Sequence, residues 1–311
     1  MKKIYTIVLM VFSLHVAIAQ QDAQYTQYMY NMSVINPAYT TSTESIINFG
    51  GFYRSQWTGI EGAPTTSNFF IHSPISNKME AGISIVSDNI GDIVNESNVF
   101  ADLAYKIDME EKGTLSFGVK VGATFFNVDY NGLEFESGDM FTDPLFMENL
   151  NRTNFNMGVG MYYNTDNYYI GFSVPTLLKG KHLDEENGRY RGVENPHLFL
   201  TGGYVFDLNS TLKLKPAFML KGVNGAPVSL DLTANALYDN RIEFGVGYRT
   251  DDAVMALFNI LVTPELKMGY AYDYTLSNHG PYSNGSHEFM ILYNLDLYKF
   301  NKGFDKSPRF F

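Results

Sequence analysis

Apolar and polar residues alternate along most of this chain. From Leu115 to Phe125 every odd position is apolar and every even position is small or polar. Val228 to Ala236 repeats the pattern on even positions, and Phe155 to Tyr163 on odd ones. Successive side chains of a strand point to opposite faces, so this period of two predicts strands with one apolar and one polar face. About 14 such segments predict strands at 44–53, 65–73, 79–87, 97–107, 114–128, 153–163, 167–174, 195–207, 211–220, 227–238, 241–250, 253–262, 265–275 and 287–298. The count is even, and most segments have the length of a tilted membrane strand, about 9–11 residues.

The gaps between these segments differ by side. Tight turns at Asn164–Asp166, Asp207–Ser210, Asp239-Asn240 and Thr263-Pro264 follow even-numbered strands, as do modest gaps at 73–79 and 108–113. Long gaps at 129–152 and 175–194 follow odd-numbered ones, with 88–96 and 276–286 intermediate, and 221–226 and 251–252 short. Short turns at one end and longer loops at the other predict an all-β transmembrane antiparallel barrel with short periplasmic turns and longer extracellular loops. Aromatics mark the short-turn end: Tyr162, Tyr163, Tyr168, Tyr169, Tyr204, Phe206, Tyr238, Tyr298 and Phe300. An apolar ring with a polar tip suits a lipid–water boundary, so these are expected to form a girdle.

A secreted β-sandwich is the soluble alternative. The second face argues against it. Lys120, Thr124, Asp231, Asn235 and Asp273 share that face with Gly118, Gly122, Gly158, Gly160, Gly245, Gly247 and Gly269. Small inward residues leave room for water or for a plug, and closure removes the open edges that lipid does not tolerate.

The N-terminus has a different character. Lys2 and Lys3 precede the apolar run Ile4–Ile18, and Ala17-Ile18-Ala19 forms a small-residue cleavage site before Gln20. This is the pattern of a secretory signal peptide. The expected organisation is 1–19 signal peptide, 20–43 a periplasmic or lumenal segment, 44–298 barrel, and 299–311 a periplasmic tail, in a protein of the bacterial outer membrane.

Composition removes several function classes. The net charge is −11, which excludes a phosphate-neutralising nucleic-acid binder. The chain has no cysteine and so no thiol chemistry. None of the six histidines is spaced as a helical metal pair. His182, His197, His279 and His287 fall in or beside the outer loops and are expected to be solvated there. No G-x-S-x-G, phosphate loop or dinucleotide fingerprint is present. The expectation is a protein without catalytic residues, cofactor or resident metal. A passive porin or small-solute channel is the alternative function.

Three segments stand out. Gln24-Tyr25-Thr26-Gln27-Tyr28-Met29 is followed by Asn36-Pro37-Ala38-Tyr39. Tyr53-Arg54-Ser55-Gln56-Trp57-Thr58-Gly59 leads through Gly62-Ala63-Pro64 to Thr66 and holds the single tryptophan. Arg54 can stack on Trp57 or pair with Glu61 or Asp88. Gly269-Tyr270-Ala271-Tyr272-Asp273-Tyr274 precedes Gly285-Ser286-His287-Glu288.

In this order the three segments resemble the signatures of the PorP/SprF family, and they span nearly the whole mature chain. The resemblance implies an outer-membrane barrel of the type IX secretion system of Bacteroidota. It implies a role in secretion and surface attachment of adhesins with a type B C-terminal domain, including gliding adhesins. The partners it implies are that cargo, the system's periplasmic and lipoprotein subunits, and outer-membrane lipid. Candidate partner contacts are Asn36, Pro37, Arg54, Trp57, Gly62, Pro64, Asp273, His287 and the tail residues Phe310 and Phe311. A lone Trp beside an Arg is a plausible anchor, since both are enriched at binding hot spots.

Overall fold

The computed structural model describes residues 24–39, 46–91, 93–109, 113–130, 149–183 and 191–296, with backbone pairing alone for 180–183 and 191–194. The expected signal peptide and the tail with Phe310 and Phe311 lie outside the described residues.

The first half of the chain forms β1 (Ile46–Ser55), β2 (Thr65–Ser76), β3 (Met79–Ile90), β4 (Val94–Asp108), β5 (Thr114–Val128), β6 (Leu150–Asn164) and β7 (Tyr168–Val174). A two-stranded hairpin, β8 (Gly180–Leu183) and β9 (Arg191–Glu194), stands apart from the main sheet. Then come β10 (His197–Tyr204), the short β11 (Phe206–Asp207), β12 (Leu212–Val223), β13 (Ser229–Tyr238), β14 (Ile242–Arg249), β15 (Ala253–Leu261), β16 (Leu266–Thr275) and β17 (Ser286–Asp296). Neighbouring strands are antiparallel, β10 pairs with β12, and β1 pairs with β17 from Ile46–Asp296 to Ser55–His287. The sheet is therefore a closed barrel of 14 staves with β8, β9 and β11 as additions.

Each predicted strand corresponds to one stave. The largest boundary error is at 88–96, expected as an intermediate loop. Strands β3 and β4 run on until only residues 91–93 separate them. Asp88 accepts a hydrogen bond from Thr66 Oγ1 (2.6 Å), and Asn89 pairs with Asn95 across the ladder. Polar residues replace the apolar alternation there, so the pattern stops before the strand does. The Asp239-Asn240 turn is as expected: both residues have φ near +50°, the geometry of a tight hairpin turn.

Alternation decides which side chains face out. On β5, Val119 and Val121 are 50% and 56% exposed on the isolated chain, while Lys120 between them is 1% exposed. The outward rows of Val, Ile, Leu, Phe and Met form the lipid-facing belt. The same parity corrects the expected girdle. Tyr163, Tyr168, Tyr204, Phe206 and Tyr238 point outward, and Tyr163, Tyr168, Tyr204 and Phe206 pack in succession at centroid distances of 5.9, 6.3 and 4.4 Å. Tyr162 and Tyr169 point inward and are buried. Tyr298 and Phe300 lie outside the described residues.

The walls differ in height. Strands β4, β5 and β6 have 15 residues each, whereas β13 to β16 have 8 to 10. The buried core lies inside the barrel, around residues 25–39.

Candidate functional site

The lumen is occupied by the chain's own N-terminal segment. Residues Tyr28–Tyr30 form a 3-10 turn and Met32–Ile35 one helical turn, α1. Thr26, Gln27, Tyr28, Asn31 and Ala38 have no exposed surface at all. The segment runs from the long-loop end, at Tyr25–Gln27, to the short-turn end, at Asn36–Tyr39.

At the long-loop end the fastening is ionic. Arg54, near the end of β1, points into the lumen and not towards Trp57. Its Nη2 donates to Asp273 (2.7 Å), and its Nη1 donates to Thr26 Oγ1 (2.7 Å) and Glu288 (3.3 Å). Glu288 accepts the backbone N–H groups of both Thr26 and Gln27 (2.8 Å each). Arg249 grips Asp231 through two nitrogens (2.9 Å each) and donates to the Tyr25 carbonyl (3.3 Å). Two guanidinium groups thus meet three buried carboxylates, and the plug adds the Thr26 hydroxyl, the Thr26 and Gln27 N–H groups and the Tyr25 carbonyl. Such a set is stable only when its members are all present, because each is cut off from water.

Midway, Tyr30 bonds Glu243, and Lys267 donates to both (2.8 Å each) while lying 4.1 Å from the Tyr30 ring centre. Asn68 donates to Asn31 (2.7 Å).

At the short-turn end the fastening is steric. A Cβ on Gly118 would overlap the Pro37 carbonyl, and one on Gly160 would overlap the Asn36 side chain. The plug backbone lies directly on the wall because these residues have no side chain. Asn36 donates to the Met161 carbonyl (3.0 Å) and accepts from its own Ala38 N–H (2.9 Å). Tyr39 packs edge-on against Tyr162, which stacks on Tyr169 (5.6 Å each). These two inward tyrosines build the socket.

The remaining candidates lie in the outer loops. Trp57 stacks on His279 (4.4 Å, 13°), and its N–H donates to Ser286 Oγ (3.1 Å). Thr58 exchanges backbone hydrogen bonds with Gly285 and Asn284 (2.8 and 2.7 Å), which zips the β1–β2 loop to the β16–β17 loop. Gly62 rests against Gly91 of the β3–β4 turn, both at positive φ. The Pro64 carbonyl accepts from Gln56 N–H (3.0 Å). His287 faces outward and bonds Tyr270 (2.7 Å). The structure therefore unites Arg54 with Asp273, sets Asn36 and Pro37 at the opposite end, and gathers Trp57, Gly62, Pro64 and His287 on the outer rim. His197, expected to be solvated, is 1% exposed at the start of β10.

Thr26, Asp231, Arg249, Glu243 and Lys267 were not singled out by sequence as one network. Their signal is charge at inward parity: Glu243 and Arg249 alternate with Gly245 and Gly247 on one strand face. Among the described residues no group of three His, Cys, Asp or Glu side chains is placed to hold a metal ion.

Two solved structures share this architecture. The toluene transporter TbuX of Ralstonia pickettii aligns with a TM-score of 0.52 at 11% identity, over 85% of this chain and 93% of that one. The CymD monoaromatic hydrocarbon channel aligns with a TM-score of 0.52 at 9% identity, over 90% and 95%. At these identities the likeness concerns the fold alone, that of an outer-membrane barrel. No curated protein matches the chain. The family profile described as type IX secretion system membrane protein PorP/SprF matches residues 17–293. With that match covering barrel and plug together, the chain belongs to the PorP/SprF family of type IX secretion system membrane proteins.

Proposed function

We propose that this protein is a non-enzymatic docking component of the type IX secretion system, holding a secreted adhesin by its type B C-terminal domain at the outer membrane. Its periplasmic side engages the system's periplasmic and lipoprotein subunits. The observation that carries this reading is the filled lumen. A bore occupied from one end to the other by the chain's own residues offers surfaces to partners and no path for solutes. The zipped loops around Trp57 form a rigid outer rim, and preorganised surfaces bind with less entropy loss.

The test is a clean deletion of the gene with surface display of each type B adhesin as readout. Display should fall and return on complementation, and the purified C-terminal domain should co-elute with the barrel. Unchanged display of every adhesin would overturn the reading. Planar-bilayer recording of the wild-type protein separates it from the channel alternative. No steady conductance is expected, and stable porin-sized steps would favour the channel.

A further inference from the structure

The outward face of the tall wall changes character abruptly. The last row that is apolar throughout consists of directly paired residues, Phe69, Ile85, Val99, Ala123 and Phe155, on β2 to β6. Four residues nearer the long-loop end, the register aligns Thr65, Asn89, Asn95, Asn127 and Asn151 in one unbroken row. The row between them holds Ser67, Ser87, Ser97, the outward Phe125 and Thr153, with Tyr53 of β1 beside Ser67. On the low wall the outward positions stay apolar to the end of the strands, at Val228, Tyr248, Val254 and Tyr274. The amide row is thus confined to the part of the barrel that stands above the belt.

Four asparagines on paired strand positions need a reason, because strands disfavour asparagine. Mutual bonding is not the reason: among the described residues none of these four amides makes a side-chain hydrogen bond. Asn95, Asn127 and Asn151 are exposed. Each amide offers two donor hydrogens and one acceptor oxygen. Along β1 to β6 no outward-facing position carries a charge, so the strip has nothing with which to pair a phosphate or carboxylate. Neutral donors and acceptors in register, next to the half-exposed ring of Tyr53, match the hydroxyls and apolar faces of sugars. The strip continues directly from the lipid-facing belt, where the sugars of the outer leaflet begin.

We infer that this asparagine strip binds the neutral sugars of outer-leaflet glycolipid and anchors the tall wall in that layer. The inference is independent of the adhesin reading. It is tested on the purified full-length protein in detergent with two fluorescent probes. One is lipopolysaccharide carrying its core oligosaccharide, and the other is lipid A, which has the acyl chains and phosphates but no core sugars. The wild type should bind the first about tenfold more tightly, the equivalent of a few neutral hydrogen bonds. N95A/N127A should abolish this preference, keep the affinity for lipid A, and retain the gel shift of a folded barrel. Should the double variant lose that shift, N127T, which favours the strand, takes its place with the same readout. Equal wild-type affinity for the two probes, or a folded variant that keeps the preference, would overturn the inference.

Discussion

The two ends of the plug are fastened by different physics. At the long-loop end, charges from β1, β13, β14, β16 and β17 close on the backbone of residues 25–27. At the short-turn end, Gly118 lets the Pro37 backbone touch the wall and Gly160 makes room for the Asn36 side chain. The first fastening depends on which atoms are present, and the second on how much volume is absent. A buried charge set tolerates no missing member. A close-packed contact tolerates no added methyl where backbone faces backbone.

That contrast can be broken from either end. The largest effect is expected for Glu288→Ala, which leaves two plug N–H groups without an acceptor and takes one of its two carboxylates from Arg54. Loss of one partner from a buried ion set costs about 3–5 kcal/mol, read as a lower urea midpoint for the barrel in liposomes. Arg54→Lys keeps the charge but loses the fork that serves Thr26, Asp273 and Glu288 together. It is expected to rescue little of an Arg54→Ala defect in the same assay.

Gly118→Val comes next. Overpacking costs about 1–3 kcal/mol, and here the strain falls on Pro37, whose carbonyl has nowhere to turn. The wall should stay closed while the inner end of the plug lifts, so bilayer recordings should show conductance that the wild type lacks. A silent Gly118→Val barrel would mean that volume does not hold this end. Asn36→Ala removes one wall hydrogen bond and one local bond, and a smaller loss of about 1 kcal/mol is expected by the same unfolding measurement.

Trp57→Ala should have the smallest effect on the barrel. Its stack on His279 is worth about 0.5–1.5 kcal/mol beyond buried area and belongs to the rim, not to either fastening. If Trp57 contacts a partner, barrel abundance on gels should hold while adhesin display falls. If it only packs the rim, the two should fall together.

The staves were legible because lipid outside and a lumen lined largely by small and polar residues inside impose period two wherever a strand crosses the belt. The pattern faded where that contrast ends, as at Asp88–Glu96. Parity already placed Tyr162 with Gly160 and Tyr163 with Met161, yet rim position suggested a single girdle for both tyrosines. The partners of Arg54 were not legible. Asp273 and Glu288 lie 219 and 234 residues away, and only the β1–β17 closure brings them together. Glu61, a nearer candidate in sequence, sits in the loop beyond the strand. His197 was expected to be solvated because it lies beside the long 175–194 gap, although the strand expected at 195–207 already contained it and its parity points inward.

The Glu288 clasp also has a consequence for the order of assembly. Thr26 precedes every stave in the chain, and its backbone partner Glu288 lies 262 residues later, in the last strand. Contacts so distant in sequence form late, since the loop between them must close first. Until β17 arrives, the N–H groups of Thr26 and Gln27 have no carboxylate to meet. The earliest part of the chain must therefore be kept extended and unaggregated while every other stave is laid down, and its seating coincides with closure of the β1–β17 seam. A chain truncated before Glu288 would lack both the seam and the clasp, so an unfinished barrel leaves residues 25–27 unseated and open to proteolysis.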